Sequence, residues 1–449
     1  MRGADVRQVF ETILPDEVLM KLVRKSKLQQ RPRKLDALRL LRSMIIAAST
    51  GYGGRQADVM RLYFESGATR VVRGVFYSWF GAELEVIMLA VRQLALDYVR
   101  TMRCDLPGLL GAYVTDWHIV DSSTVKLDEA LRAEYPGAGN YAALKVHKRF
   151  SVGLGTTIGY HLSPARDHDN IHLTIDASWR GLGVLLDLGY ASFKLIRDCQ
   201  EHGVRFVIRL KDSWKPRVQQ VGRGSVTRDF VAGSDLDQLI NEEILVLDGK
   251  VIDVDVTLGS GKSLVSCRMV GVPTPEGTYR FYLTNLPPAV GPRQIADIYR
   301  VRWEIESDNK LDKSCSHLDQ IIARTGPTVR AMVHASMVSS IIACILAHHV
   351  RLNEVPPPCQ GAERMTAPIH PQSLARAMGS ASGTIASAMD MRGEQASREW
   401  DRIAGFLSHL GRDPNWRRSP SILDQLRGWK ISPGRPKKAR LASSPAAAS

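Results

Sequence analysis

The chain reads WHIVDSST at residues 117–124, an apolar strand pattern that ends in Asp121 and is followed by small hydroxyl residues. A second apolar run, LLDLGY at residues 185–190, places Asp187 in the same position. Around these two runs the hydrophobic pattern predicts strands near 114–121, 145–153, 157–163, 183–187 and 204–210, with a helix at about 191–202.

Three strands followed by an alternation of helix and strand fit the α/β fold of the ribonuclease-H-like type. In this order Asp121 ends the first strand and Asp187 the fourth, where loops converge at one edge of the sheet. Carboxylates at such an edge are well placed to share a metal ion. The pattern therefore predicts a ribonuclease-H-like α/β core with these two acids at one edge of its sheet.

A third informative stretch, YRVRWEIESDNKLDK, covers residues 299–313. Tyr299, Arg302, Glu306 and Lys313 are spaced by three, four and seven residues, so a helix would bring all four side chains to one face. Glu304 would point elsewhere. One acid between two cations and an aromatic ring suits a metal ligand within a phosphate-binding face. The alternative is a solvated helix with ion pairs at i, i+4.

This Tyr-x2-Arg-x3-Glu-x6-Lys pattern resembles the YREK signature of bacterial insertion-sequence transposases of the DDE class, in their cut-and-paste branch. The resemblance implies that Asp121, Asp187 and Glu306 are the catalytic residues and metal ligands. They would hold two Mg2+ ions, with Mn2+ as a substitute, in phosphodiester cleavage by in-line attack. Two departures from the family pattern concern finer detail: Ser122 stands where Gly is frequent, and Leu188 where Arg is frequent.

The same resemblance implies roles in DNA binding for four residues. Arg302 and Lys313 would contact phosphates near the cleaved end, and Tyr299 would pack or hydrogen-bond beside the same backbone. Trp214 is the candidate for an aromatic side chain that holds a base out of the stack. The alternative for Trp214 is a place in the core of its own region.

Asp187 and Glu306 are separated by far more residues than a compact fold of this type needs, which predicts a β-rich insertion at about 212–288. Within it, the apolar runs 244–247 and 251–256 flank Asp248-Gly249-Lys250, a hairpin signal. The whole chain then divides into four parts. They are a helical DNA-end-binding domain (1–110), the catalytic domain with its insertion (111–355), a helical region (356–430) and a basic flexible tail (431–449).

The net charge of +14 and the pI near 9.6 favour a polyanionic partner. Residues 411–449 hold nine Arg and Lys against two Asp, so half of the excess lies at the C-terminal end. The six cysteines form no Cys-x-x-Cys pair and do not cluster in sequence with histidine, which argues against a structural zinc site and a disulfide framework. Residues 332–350 are apolar but interrupted by His and Ser, which predicts a buried helix rather than a membrane span.

These observations together predict a DDE transposase that acts on double-stranded DNA, at terminal inverted repeats and at target DNA. The resemblance further implies a hairpin intermediate, a homodimer in the synaptic complex and a cytoplasmic, nucleoid-associated location without membrane contact. Two alternatives remain open. One is a catalytically inactive, transposase-derived DNA-binding protein, and the other is a structure-selective nuclease of the same fold.

Overall fold

The computed structural model describes residues 1–26, 28, 35–50, 55–221, 251–354, 367–416 and 421–429. The α-helices of these residues are α1 Gly3–Ile13, α2 Asp16–Ser26, α3 Ala37–Ala48, α4 Gln56–Glu65, α5 Arg73–Tyr77, α6 Ala82–Thr101, α7 Phe193–Glu201, α8 Pro292–Arg300, α9 Trp303–Lys310, α10 Gly326–Arg351, α11 Pro371–Ser380, α12 Ser382–Ala388, α13 Gly393–Leu410 and α14 Ile422–Leu426. The strands are β1 Trp117–Lys126, β2 Ala143–Ser151, β3 Thr156–Pro164, β4 Gly183–Leu186, β5 Arg205–Arg209, β6 Arg217–Val221, β7 Ile252–Leu258, β8 Val265–Pro273 and β9 Tyr279–Thr284.

The described strands form one sheet of nine, in the order β3-β2-β1-β4-β5-β9-β8-β7-β6. In the first half, β1, β2 and β3 are antiparallel neighbours, whereas β4 and β5 run parallel to β1. The four residues of β4 are all buried, as expected of a parallel strand covered on both faces. Three antiparallel strands followed by two parallel ones, joined through α7, are the ribonuclease-H-like arrangement, so the predicted fold class is confirmed.

The second half of the sheet comes from the insertion. Strands β6 to β9 are antiparallel neighbours, and β9 pairs with β5, so they extend the catalytic sheet rather than form a separate one. Strand β7 coincides with the second arm of the predicted hairpin. The first arm, 244–247, and the turn 248–250 lie outside the described residues.

The helix α10 is the centre of the largest hydrophobic core. Gly326 and Pro327 begin it, and proline is well tolerated in a first helical turn. It is long and apolar enough to cross a membrane, with a mean hydropathy of 1.8, but 94% of that apolar window is buried inside the protein. This agrees with the prediction of a buried core helix over 332–350.

The N-terminal and C-terminal helices share this core. α10 packs on α6, α3 and α11, and α1 packs on α13 through Phe10 and Trp400, whose ring centroids are 5.7 Å apart. The buried residues of α1 to α6, α10 and α11 to α13 belong to one continuous cluster that also reaches β2 and β3. The described residues of 1–110 and of 356–430 are therefore mostly helical, and their helices are packed together around α10.

The helical prediction for 299–313 needs one correction. α8 ends at Arg300, and Val301 and Arg302 make tight i to i−3 bonds before α9 begins. Residues Leu311–Cys315 then form a π-helical turn. The stretch thus consists of the end of α8, a tight turn, α9 and a π-helical turn. Its four signature residues therefore do not lie on one regular helix.

Candidate active site

The two aspartates lie side by side at the centre of the sheet. Val120 of β1 is paired with Leu186 of β4, the last residue of that strand, so Asp121 and Asp187 follow a matched pair on neighbouring parallel strands. Asp121 does not end its strand as predicted, because β1 continues to Lys126 through its pairing with β2. Asp121 is instead the first residue of β1 beyond the end of β4, which leaves it open on that side.

Helix α9 brings the third acid to this edge. Asn309 of α9 donates a hydrogen bond from Nδ2 to Oδ2 of Asp121, at 2.9 Å. One helical turn earlier, Glu306 accepts a bond from a guanidinium nitrogen of Arg302 at 3.0 Å. At the end of α8, the Tyr299 hydroxyl contacts the carbonyl oxygen of Leu186, beside Asp187, at 3.4 Å. The predicted acids therefore meet where α8 and α9 cross the ends of β1 and β4.

Arg302 is the cation that these acids share. Its side chain is 14% exposed, against 32% for Glu306. Burial opposes its charge, yet Tyr299, Asp187 and Glu306 raise the pKa of the Arg302 guanidinium. Burial raises the pKa of Asp121, and Asn309, Lys148 and Arg302 act in the opposite direction. Three carboxylates with one guanidinium between them leave an excess of negative charge at the site.

A fully buried ion cluster fixes α9 on the sheet. Lys148 of β2, paired across the strands with Asp121, places Nζ 2.6 Å from Asp308 and 2.6 Å from Asp312. Thr157 of β3 donates a further hydrogen bond to Asp308 at 3.0 Å. Although burial acts against it, the two aspartates raise the pKa of Lys148. This cluster therefore fixes on the sheet the helix that carries Glu306 and Asn309.

The predicted DNA-binding residues fall into two groups. Tyr299 and Arg302 belong to the acid site, with the guanidinium 5.9 Å from the tyrosine ring centroid. Burial raises the pKa of Tyr299. Lys313 lies in the π-helical turn, half-buried, and makes no hydrogen bond or ion pair with any residue of the described ranges.

Trp214 lies in the loop after β5, at the same edge of the sheet as Asp187. Its ring packs on Phe193, the first residue of α7, with centroids 4.6 Å apart. It is half-buried against the core that β4, β5 and β7 share. The loop position fits either of the two interpretations that the sequence leaves open.

Glu304 points away from the site, as its helical position predicts. Its carboxylate accepts a hydrogen bond from the backbone N–H of Leu423 in α14, at 3.3 Å. Burial, with the charge of Asp424 adding to it, raises the pKa of Glu304. This acid joins α9 to the C-terminal helices and belongs to a different environment from Glu306.

The residues present fit a hard divalent cation. Carboxylate and amide oxygens are the ligands that Mg2+ and Mn2+ prefer. The Asn309 Oδ1 atom is buried and has no hydrogen-bond partner in the described part of the chain, although its Nδ2 is bound to Asp121.

Sequence reasoning missed Asn309, Lys148 and the aspartates that pair with Lys148. Asn309 could have been found, because it follows Glu306 by three residues and a helix places both on one side. Lys148 gives no such signal, since its partners are more than a hundred residues away and its burial depends on β2 being covered by α9.

The chain is similar in sequence to known transposases. The family model described as "Transposase DDE domain" matches residues 116–342, just over half of the chain. A transposase assigned to insertion sequence element IS4SA of Synechocystis sp. is 22% identical over 203 residues, which are 44% of this chain and 50% of that relative. The chain thus spans half the length of that relative. The solved structure of a piggyBac transposase synaptic complex with hairpin DNA covers 92% of this chain and 89% of that one, with 10% identity and a TM-score of 0.47.

Proposed function

Because this chain belongs to the family of the transposase DDE domain, we propose that it excises and inserts an insertion sequence by cleaving DNA phosphodiesters and transferring the strand ends. The observation that carries the proposal is the meeting of Asp121, Asp187 and Glu306 at one open edge of the sheet. Acids at this edge, with a single guanidinium among them, form a site for divalent cations rather than a closed ion pair.

In this proposal Asp121, Asp187 and Glu306 hold two Mg2+ ions, for which Mn2+ can substitute, and Asn309 supplies a further oxygen. Bound there, the ions supply an activated oxygen nucleophile and stabilise the leaving oxygen. Arg302 holds the carboxylate of Glu306 in place. The Nε atom of Arg302 is buried and has no hydrogen-bond partner among the described residues.

The DNA contacts are assigned around this centre. Tyr299 would pack against the backbone of the cleaved end, and Lys313 would contact a phosphate beside it. Trp214, at the same edge, would stack on a base that leaves the helix. The packed helices of residues 1–110 carry the recognition of terminal inverted repeats, and the basic tail 431–449 adds attraction for any duplex.

The sequence of reaction steps is taken from the resemblance to transposases with the YREK signature. We assign to this protein a cut-and-paste course in which the freed 3′-hydroxyl attacks the opposite strand and closes a hairpin. The complex is a homodimer on two paired ends, and the protein acts in the bacterial cytoplasm on the nucleoid. The presence of all three acids together with Tyr299, Arg302 and Lys313 argues against an inactive DNA-binding protein, whereas a structure-selective nuclease is separated from a transposase by a strand-transfer assay.

The test uses the element's own ends, obtained by sequencing the DNA that flanks the gene for inverted repeats. Asp121→Asn, Asp187→Asn and Glu306→Gln should each lower cleavage by more than the roughly 100-fold that loss of an outer-shell partner can cost. Gel-shift affinity for the ends should stay nearly unchanged, because these substitutions leave the DNA-binding surface intact. Glu304→Gln is the matched control, since it has the same residue type on the same helix and keeps an acceptor for Leu423.

Two results would overturn the assignment. Cleavage at the wild-type rate in any of the three variants would remove that acid from the site. Cleavage without joining to a target duplex, under conditions in which both ends are bound, would make the protein a structure-selective nuclease.

A further inference from the structure

A cluster of three histidines lies beside the acid site. His147 of β2, His161 of β3 and His172 in the loop after β3 have ring centroids 4.5 Å (147 to 161), 4.1 Å (147 to 172) and 4.7 Å (161 to 172) apart. One nitrogen of each ring can be chosen so that all three lie within 4.8 Å of one another. His147 and His161 face each other directly in the pairing of β2 with β3. The sequence gives no sign of this cluster, because no two of these histidines are within ten residues.

The hydrogen bonds fix which nitrogen of His147 is free. Its Nε2 is 2.9 Å from the hydroxyl of Ser163, and that hydroxyl donates to the carbonyl oxygen of Pro164. Ser163 must therefore accept from Nε2–H, which leaves the lone pair on Nδ1. A histidine that binds a metal commonly has its other N–H held in this way.

Two of the ring nitrogens are buried without a hydrogen bond. Nδ1 of His147 and Nε2 of His172 have no hydrogen-bond partner among the described residues, although a carboxylate oxygen of Asp167 lies 3.6 Å from Nε2 of His172, and His147 is 3% exposed. Buried polar atoms are seldom left unpaired in proteins. Burial, with the neighbouring histidines acting in the same direction, lowers the pKa of His147 to about 4, so its lone pair is available at neutral pH. The three rings line a cavity of about 280 Å³.

We propose that His147, His161 and His172 bind a divalent transition-metal ion of the Zn2+ class, at a site separate from the three catalytic acids. Three neutral imidazoles suit Zn2+, Co2+ or Ni2+ and not Mg2+, which prefers oxygen ligands. Three protein ligands leave one coordination position facing the cavity. The carboxylate of Asp169, 3.9 Å from Nδ1 of His147, is already bonded to Lys145 and Ser122.

The place of the site in the fold gives it a structural consequence. His172 belongs to the connection between β3 and β4, whereas His147 and His161 belong to the β2–β3 hairpin. His147 lies opposite Ser122 in the pairing of β1 with β2, one residue from Asp121. An ion bound by all three would fasten this connection to the hairpin next to the acid site.

The experiment measures metal binding by the full chain, stripped with a chelator and titrated with Zn2+ in competition with a chromogenic chelator. The expected result is one Zn2+ equivalent in the wild type and in the double variant Asp121→Asn/Asp187→Asn. His161→Ala and His172→Ala should each weaken that binding by at least the roughly 100-fold of a lost outer-shell partner. His161 is exposed, so its substitution should not disturb folding, which circular dichroism verifies.

His168→Ala is the matched control, because His168 is an exposed histidine in the same connection and lies outside the cluster. It should bind Zn2+ as the wild type does. Equal Zn2+ affinity in the wild type and in His161→Ala would overturn the proposal, and so would loss of binding in the aspartate double variant alone. Because the readout is metal binding, this outcome is independent of whether the protein cleaves DNA.

Discussion

Two acidic clusters meet the stretch 303–315, and they are built from the same residue types but differ in solvent access. In one, Asp308 and Asp312 bind Lys148, and these three residues are 6%, 1% and 1% exposed. In the other, Asp121, Asp187 and Glu306 lie around Arg302, with Asp187 exposed to solvent. We call the first the closed cluster and the second the open cluster.

The difference is one of geometry and solvent access more than of composition. The closed cluster has short bonds from one ammonium group to both acids, so each charge has a partner inside the protein. The open cluster has three acids around one guanidinium and, at Asp187, a path to solvent, whereas each cluster has one buried oxygen without a hydrogen-bond partner among the described residues, in Asn309 and in Asp312. A buried pair of acids that binds a lysine inside the protein anchors a helix. Acids that outnumber the neighbouring cations and face solvent attract cations from solution.

The largest effect should come from breaking the closed cluster. Lys148→Met leaves two buried aspartates without a cation, and loss of one member of a buried pair costs about 3–5 kcal/mol of unfolding free energy. Chemical denaturation of the wild type and the variant measures it.

The control adds Asp308→Asn and Asp312→Asn to Lys148→Met, which should recover much of the lost stability because no buried charge remains. A single Lys148→Met variant as stable as the wild type would mean that the closed cluster does not anchor α9.

A second change tests the open cluster through its missed residue. Asn309→Ala removes the hydrogen bond to Asp121 and should lower metal-dependent cleavage about 10- to 100-fold. The Mg2+ concentration required for half-maximal cleavage should rise as well. Asn353→Ala, which removes an exposed asparagine that bonds only to a helix carbonyl, is the comparison. An unchanged Mg2+ requirement in Asn309→Ala would exclude Asn309 from the open cluster.

The pH dependence of stability should distinguish the clusters further. Burial, with the charge of Asp308 adding to it and Lys148 opposing it, raises the pKa of Asp312 to about 6 from 3.8. Between these values the folded chain binds more protons than the unfolded chain, so this group makes stability fall as the pH rises, by at most about 1.4 kcal/mol per pH unit.

Asp312→Asn removes that titration. The difference in unfolding free energy, wild type minus Asp312→Asn, should therefore decrease as the pH rises from 4 to 6 and be flat above it. Denaturant unfolding at several pH values gives this difference directly. A difference that grows with pH would show that Lys148 keeps Asp312 ionised throughout.

The smallest effect concerns Lys313, beyond the wide end of α9. Lys313→Ala should reduce the salt slope of binding to cleaved ends by about one unit, since one phosphate contact is lost. Lys310→Ala, an exposed lysine one turn earlier, is the matched control. Equal salt slopes for the wild type and both variants would mean that Lys313 is a solvated surface cation that contacts no phosphate.

Much of the core could be predicted because its signals are local. Strand patterns around Asp121 and Asp187 depend on alternation and burial within a few residues, and the strands formed where they were expected, except that β1 continues past Asp121 to Lys126. The prediction of one regular helix over 299–313 was wrong at two places, because helical spacing cannot reveal a tight turn at Val301 or a π-helical turn after Lys310. The contact between Arg302 and Glu306 formed despite this, because i, i+4 geometry survives the joint.

The sequence by itself determined most of the helices and strands and indicated three candidate acids, because strand and helix patterns and short motifs depend on neighbouring residues. Only the tertiary structure decided how charges are shared. Lys148 binds both acids of the closed cluster, whereas in the open cluster Arg302 bonds to only one of three acids. The strands β2 and β3 and the connection after β3 bring three histidines together. These outcomes depend on residues distant in the chain meeting at a strand register, and no local pattern encodes that meeting.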